Sequence, residues 1–304
     1  MKIIALDIGG TTIKVGEIND GKLVSHGEFA TDAKLGGEAV MRKAEEIIAG
    51  YSGFECIGIS TAGQVDIKTG SIRFANENIP NYTGMQVKTR LEARFKVPVA
   101  VENDVNAAAL GEAHFGAGRG ANNFICITYG TGVGGAIVMN QEIYGGSSCS
   151  AGEFGHIITH AGGELCNCGQ HGCYERYASA GALVRRALAI DETLTSGREI
   201  FARFDEPQVK ALVDEWIYEV MQGLTTLVHI FNPSLLVLGG GIMNEKYIAD
   251  AISELLPKYT MQSYHGIAIK QAELRNNAGL LGAAYLAGNA YLQQATPACK
   301  PEVS

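Results

Sequence analysis

Lysine and arginine never gather into a block along this chain, so no stretch could track a nucleic-acid backbone. The formal charge of -8 is spread along the sequence, and non-specific binding to DNA is not expected. A long apolar run is missing from the start as well. MKIIALDIGGTT has only four consecutive apolar residues before Asp7, which suits neither a signal peptide nor a membrane span, so a cytoplasmic protein without membrane partners is expected. Cysteine is scarce, and its count of seven is odd. Cys56 and Cys126 fall in apolar, strand-like runs as buried free thiols, while Cys149 and Cys299 have no obvious partner. This usage favours a reducing compartment over a disulfide framework. GxxxxGK[ST] is absent, and the first glycine loop does not open a helix after a GxGxxG, so neither a P-loop nor a Rossmann dinucleotide site fits.

Glycine, by contrast, is plentiful: the 39 glycines cluster after apolar runs, which suggests phosphate loops more than flexible linkers. A chain of 304 residues exceeds a typical single core. Two domains are expected, residues 1–117 and 118–304, with a final helix near 280–292 able to pack back on the first. Each half opens with the same device, an apolar strand, a Gly/Thr loop and a second apolar strand: Lys2 to Ile8, GGTT and Ile13 to Ile18, then Phe124 to Tyr129, GTGVGG and Ala136 to Met139. Helices are predicted at about 36–50 and 84–95, strands at 56–60 and 98–101, and an extended loop from Gly63 to Tyr82. Trp216, Ile217, Val220, Met221, Leu224, Leu227, Val228 and Phe231 share a helical face, which Asn232-Pro233 ends before the strand LLVL. The last dozen residues, from Gln293, lack periodicity and read as a frayed tail. Alternating strands and helices in both halves indicate an α/β protein with two mixed sheets and a cleft between them.

Between Gly155 and Glu175, His156, Cys166, Cys168 and Cys173 sit in one short glycine-rich loop at intervals of nine, one and four residues. Three thiolates and an imidazole are the ligand set that tetrahedral zinc prefers, and a closed four-ligand site is structural rather than catalytic. The competing possibility is three loop cysteines that never meet. His160 and His171 are close enough in sequence to compete with His156 as the fourth ligand.

DIGGT, YGTGVGG and LGGGI could each, alone, be an ordinary strand-to-turn junction; together they suggest nucleotide binding. Such loops bring backbone N–H groups and the hydroxyls of Thr11, Thr12 and Thr131 close to phosphoryl oxygens without side-chain obstruction. Asn103 and Asp104 precede an alanine-rich helix and can sit at its N-terminus, facing unpaired N–H groups.

DIGGT, GISTAG at 58–63, ENDVNAA at 102–108, YGTGVGGA at 129–136, AGEFGH at 151–156, the cysteine loop ending in GCYE, and VLGGGI at 237–242 resemble the ROK family of sugar kinases and related repressors, in order and over essentially the whole chain. The resemblance implies the actin-like, hexokinase-type fold, two ribonuclease-H-like domains closing on sugar and ATP, and a homodimer or homotetramer. It implies Asp104 as the base for the sugar 6-hydroxyl. Asn103, Glu153, His156 and Glu175 contact the other hydroxyls, Gly63 closes on the sugar through its backbone, and Asn76 or Asn78 adds an amide. By the same resemblance Gly9, Gly10, Thr11 and Thr12, with Gly130, Thr131, Gly132, Gly134 and Gly135, hold the phosphates. Asp7 stands close to magnesium, and Gly239, Gly240 and Gly241 border the adenosine. The ligands so expected for zinc are His156, Cys166, Cys168 and Cys173.

The function so implied is ATP-dependent phosphorylation of a hexose at its 6-hydroxyl, with ATP, Mg²⁺ and structural Zn²⁺. Glucose is the leading substrate, and N-acetylmannosamine, N-acetylglucosamine and β-glucosides are the alternatives. A sugar-responsive repressor would require about sixty to eighty residues of helix-turn-helix domain ahead of DIGGT. A non-catalytic sugar- or zinc-binding protein would have no need of Asp104 and three nucleotide loops.

Overall fold

The structure, a computed structural model, describes residues 1–295. The described chain forms two compact units. The first comprises Met1–Phe115, Gly145–Ser150 and the chain from Asn276 onward; the second comprises Gly116–Tyr144 and Ala151–Arg275.

In the first unit, β1 (Lys2–Ile8), β2 (Thr12–Asn19) and β3 (Lys22–Ala30) form an antiparallel meander. Asp20 and Gly21 adopt positive φ at its second turn, as a tight hairpin requires. Helix α1 (Gly37–Ala49) leads to β4 (Cys56–Thr61), parallel to β1 and buried along its whole length. The stretch predicted as an extended loop instead contains a hairpin of β5 (Gln64–Asp66) and β6 (Ser71–Phe74), because the side chains of Val65 and Ile72, paired across it, are buried in the core. Helix α2 (Val87–Phe95), strand β7 (Val99–Asn103) and helix α3 (Asp104–Phe115) follow. The sheet order is β3-β2-β1-β4-β7.

Alternation along β1 sends Ile4, Leu6 and Ile8 into one core with Val40, Met41, Ala44 and Ile48 of α1 and Val87 and Leu91 of α2. The opposite face, which carries Ala5 and Asp7, is covered by the C-terminal helix Ala278–Ala295 through glycine contacts. A Cβ on Gly58 would lie 2.2 Å from the Ala283 carbonyl oxygen, and one on Gly282 would lie 1.7 Å from that of Ala107. Only glycine lets these backbones approach so closely. The helix continues through Gln293 and Gln294, which were expected in the frayed tail. Cys299 and the rest of that tail lie outside the described residues.

The second unit repeats the plan. β8 (Phe124–Tyr129), β9 (Val133–Met139) and β10 (Glu142–Ile143) form the antiparallel part, with Asn140 and Gln141 both at positive φ in the turn. Helices α4 (Glu175–Ala178), α5 (Ala180–Leu188), α6 (Gly197–Ala202) and α7 (Pro207–Phe231) precede β11 (Leu235–Gly239), α8 (Lys246–Tyr259) and β12 (Ala268–Gln271). The order β10-β9-β8-β11-β12, with β8, β11 and β12 parallel, matches that of the first sheet strand for strand. Proline opens α7 and Asn232 closes it in the left-handed conformation, so the apolar stripe is bounded at both ends by its own sequence. Trp216 is fully buried and donates its indole N–H to the Ser179 carbonyl at 3.0 Å. Tyr129 donates to the Tyr174 hydroxyl at 2.9 Å, and Tyr174 to the Val220 carbonyl at 2.8 Å, which satisfies two phenols that burial holds neutral.

Candidate active site and metal centre

In the first unit, Asp104 begins α3, and Asn103 caps it. The Asn103 side-chain oxygen accepts from the N–H groups of Val105 at 2.9 Å and Asn106 at 3.2 Å, while its amide donates to the Gly63 carbonyl at 3.0 Å and to Asp104 Oδ1 at 2.8 Å. Gly63 adopts φ +97°, a conformation strained for any residue with a Cβ. Burial, and then the negative charge of Asp7, push the Asp104 carboxyl up to about 6. Such a group is ionised at neutral pH yet still poised to take a proton.

Asp7 is held from three sides. Ser60 Oγ donates to its Oδ1 at 2.7 Å, Lys14 Nζ stands 3.6 Å from its Oδ2, and a Cβ on Gly279 would lie 3.2 Å from its carboxyl carbon. Lys14 and Ser60 are its register partners in the sheet, one on β2 and one on β4. The Gly9–Thr12 turn is closed by Gly9 N–H to the Thr12 carbonyl at 3.0 Å and braced by Thr31, whose hydroxyl donates to the Gly9 carbonyl at 2.7 Å. Gly10 and Thr11 are exposed. Asn76 accepts the Asn78 N–H at 3.1 Å, and Asn78 Cβ lies 4.0 Å from the Cβ position of Gly10.

In the second unit, the cysteine loop folds back on itself through bridges between Ile158 and Cys173 and between Leu165 and His171. The donor atoms of His156, Cys166, Cys168 and Cys173 come within 4.8 Å of one another. Cys168 Sγ is 3.5 Å from Cys173 Sγ, and Cys166 Sγ is 3.7 Å from His156 Nδ1. Sulfur atoms about 2.3 Å from a tetrahedral ion stand about 3.8 Å apart, so the donor set fits zinc. The three cysteines do meet. His160 and His171 stand apart from them: His160 stacks on Tyr177 and faces Glu219 at 3.5 Å, while His171 Nδ1 lies 2.9 Å from the Gly163 carbonyl. Burial pushes the Cys166 and Cys173 thiols up, and the Gln170 backbone N–H pulls Cys168 down. Glu153 precedes the turn Phe154–His156 and is exposed, whereas the Glu175 side chain is only 15% exposed and accepts from Cys166 Sγ at 3.2 Å.

The glycine turn of this unit is tight. Gly130 N–H donates to the Gly132 carbonyl at 2.9 Å, and Gly181 N–H donates to the Gly130 carbonyl at 3.1 Å. Thr131 sits at its tip, while Gly134 and Gly135 lie within β9, paired with Thr128 and Ile127. Gly135 has no room for a side chain, since a Cβ would meet the Phe154 ring at 2.1 Å. Gly239 ends β11 opposite Thr128; Gly240, at φ +104°, abuts the Tyr129 carbonyl; and Gly241 opens the turn Gly241–Asn244. The Gly239–Gly241 loop therefore lies against the strand end that leads into the Gly130 turn.

A model of the ROK family matches residues 3–290. The chain belongs to the ROK family. It is 36% identical to the glucokinase of Streptomyces coelicolor, with 93% of this chain and 96% of the relative covered. It is 33% identical to the beta-glucoside kinase of Listeria monocytogenes, with 94% and 97% covered. Among solved structures it is similar to a ROK family glucokinase from Streptomyces griseus in complex with glucose and AMPPNP, at a TM-score of 0.82 and 34% identity over 95% of this chain and 100% of that one. Its two mixed sheets are those of the actin-like fold shared by ROK sugar kinases.

Within this ROK chain several site residues escape motif reading. Lys14 and Ser60 hold Asp7, Thr31 braces the Gly9 turn, and Glu102 accepts the Asn103 N–H at 2.8 Å and the Asn106 amide at 3.1 Å. Ser60 and Glu102 lie inside GISTAG and ENDVNAA, where nothing marks these roles, whereas Lys14 had a local signal. Once GGTT is read as a hairpin turn with Ile8 opposite Ile13, Lys14 must face Asp7.

Proposed function

We propose that this ATP-dependent sugar kinase transfers the terminal phosphoryl of ATP to the 6-hydroxyl of a hexose, with glucose the first substrate to test. The Asp104 carboxyl carries the reading: it is fixed at a helix N-terminus by Asn103, raised to about 6 by burial and by Asp7, and set in a chain of this family. A sugar hydroxyl is too weak an acid to be deprotonated in advance by such a carboxylate. In a loose phosphoryl-transfer transition state the proton moves late, so Asp104 orients the hydroxyl and accepts its proton as the new bond forms.

Asn103, Glu153, His156 and Glu175 contact the remaining hydroxyls, and Gly63 lies against the sugar through its backbone. Asn76 or Asn78 adds the amide; the Asn76 side-chain oxygen accepts within its own turn, which leaves its amide N–H groups to donate. The Gly9–Thr12 and Gly130–Gly132 turns offer N–H groups and hydroxyls to the phosphates, and Gly239–Gly241 border the adenosine. Asp7 would stand beside a bound Mg²⁺, which would supply charge neutralisation for the transferring phosphoryl. Zn²⁺ on His156, Cys166, Cys168 and Cys173 orders the loop between Glu153 and Glu175. The enzyme works in the cytoplasm as a homodimer or homotetramer.

An ADP-release assay with Mg-ATP and glucose, N-acetylmannosamine, N-acetylglucosamine and a β-glucoside tests the reading. Fastest turnover on glucose supports it. Preference for a β-glucoside, in line with the identity to the Listeria enzyme, would move the substrate but keep the reaction. Absence of sugar-dependent ADP release across the panel would remove the proposal.

A further inference from the structure

Glu175 touches two structures at once. Its Oε1 accepts from Cys166 Sγ at 3.2 Å and stands 4.0 Å from His156 Nδ1, so one oxygen faces the Cys/His cluster. Its Oε2 lies 2.5 Å from the point where a Cβ on Gly132 would be, and its carboxyl carbon lies 3.6 Å from that point. Gly132 is not at positive φ, so backbone conformation does not demand glycine there. The Glu175 carboxylate fills the space a Cβ would take, so a side chain there must displace it.

Gly155, next to the ligand His156, is wedged into the same place: a Cβ on it would lie 2.4 Å from the Val133 carbonyl oxygen and 3.4 Å from Glu175 Cβ. The far side of the turn is equally confined, since Gly181 donates to the Gly130 carbonyl and its own Cβ position lies 2.6 Å from the Thr131 carbonyl oxygen. The turn, closed by its own Gly130–Gly132 hydrogen bond, is bounded by α5 on one side and by the Glu175 carboxylate on the other. Cys173, two residues before Glu175 in the chain, and Gly155, beside His156 and packed on the Glu175 Cβ, in turn set where the carboxylate sits.

We propose that Glu175, in addition to its contact with the sugar, links the Cys/His centre to the Gly130–Gly132 turn, so that a divalent metal and a nucleoside triphosphate bind cooperatively. This rests on the reading of the cluster as a metal centre and of the turn as a phosphate site, and adds to it that the two are energetically coupled. A metal that draws Cys173 and His156 to fixed positions fixes the backbone at Glu175 and Gly155, and Gly132 is then already ordered when the phosphates arrive. The coupling is reciprocal: nucleotide must tighten metal by the same factor by which metal tightens nucleotide.

The test is the zinc affinity of the full chain, measured by competition with a chromophoric chelator, with and without Mg-AMPPNP, together with AMPPNP affinity by calorimetry with and without zinc. Equal increases of about tenfold in both directions are expected. Gly132→Ala should lower zinc affinity several-fold, although Gly132 supplies no ligand. On a Glu175→Ala background the same substitution should cost nothing further, because the carboxylate it displaces is gone. Zinc and AMPPNP that both bind, but with affinities independent of each other, would overturn the coupling while leaving both sites standing. A Gly132→Ala penalty of equal size with and without Glu175 would overturn the assigned route. Failure to bind zinc, or failure to bind AMPPNP, would remove the underlying reading and the coupling together. The unmodified protein supplies the linkage measurement even if a variant fails to fold.

Discussion

Asn103 spans the backbone between the Gly63 carbonyl, 3.0 Å from its amide nitrogen, and the first turn of α3, whose Val105 and Asn106 N–H groups it caps. Two replacements separate these jobs. Asn103→Ala removes both, and the lost cap alone costs about 1 kcal/mol. Asn103→Asp keeps the capping oxygen but loses the donor to Gly63 and sets a second carboxylate against Asp104. The alanine variant should melt several degrees lower by calorimetry. The aspartate variant should keep the cap yet shift the acid limb of the kcat/KM profile upward, because a like charge disfavours ionisation of Asp104. An unmoved acid limb in the aspartate variant would break the link between the two residues.

Asp104→Asn should leave sugar affinity intact and lower kcat by about a hundredfold or more, the usual worth of a positioned base. The pH dependence has a definite sign. The carboxyl ionises near 3.8 when exposed and near 6 when folded, so the advantage of its neutral form to the fold is complete below about 4 and is lost as pH rises through about 6. Above pH 6 the parent carries a charge that its surroundings disfavour, and the asparagine variant does not. Asp104→Asn should therefore melt higher than the parent at pH 8, with the gap closing by pH 4. Rate measurements on the parent should show kcat/KM falling below about pH 6. A variant that keeps most of its turnover at pH 8 would refute the role of Asp104.

These residues differ in how far they can be read from the chain alone. The Asn103 cap is local, spanning three residues, and the alanine-rich run after Asp104 places α3 directly behind it. The cysteine loop is nearly as local, because short glycine-flanked intervals force its donors together. The Asp7–Lys14 pair follows from one hairpin register. Ser60 beside Asp7 depends on a parallel pairing across 53 residues, and Glu175 beside Gly132 on the packing of a loop against a strand turn. No pattern of residue types encodes those distances. The β5–β6 hairpin was missed for a related reason: two strands of three and four residues are too short for alternation to show, and burial of Val65 and Ile72 supplies their stability.

The glycines of the C-terminal helix give a sharp test of packing. A Cβ on Gly282 would meet only backbone, the Ala107 carbonyl at 1.7 Å and Gly111 nitrogen at 2.8 Å, whereas one on Gly288 would meet the flexible end of Met1 at 2.9 Å. Helix propensity alone favours alanine at both by about 1 kcal/mol. Gly288→Ala should therefore be neutral or stabilising in thermal melts. Gly282→Ala must push two helices apart at a cost of about 1–3 kcal/mol or more, and should melt markedly lower. Equal melting temperatures for the two variants would mean that the helix is not seated against α3 as described.

Removal of metal should act locally. A structural zinc centre can supply about 10 to 16 kcal/mol in a small peptide that has no other core. This chain has two large apolar cores, one around Trp216 and one around Ile4 and Leu6, neither of which includes the cysteine donors. Loss of the ion should leave both sheets intact while releasing the loop that carries His156 and ends at Glu175. Dialysis against a strong chelator should thus weaken sugar binding, measured by calorimetry, before the helical signal in circular dichroism falls, and stoichiometric zinc should restore it. Cys168 is the exposed donor of the candidate site and Cys173 the fully buried one. Cys168→Ser should mimic chelation with little change in melting temperature, whereas Cys173→Ser, which also places a hydroxyl where a buried sulfur stood, should lower stability as well. Unchanged sugar affinity in metal-free protein would show that the loop holds its shape by its own hydrogen bonds.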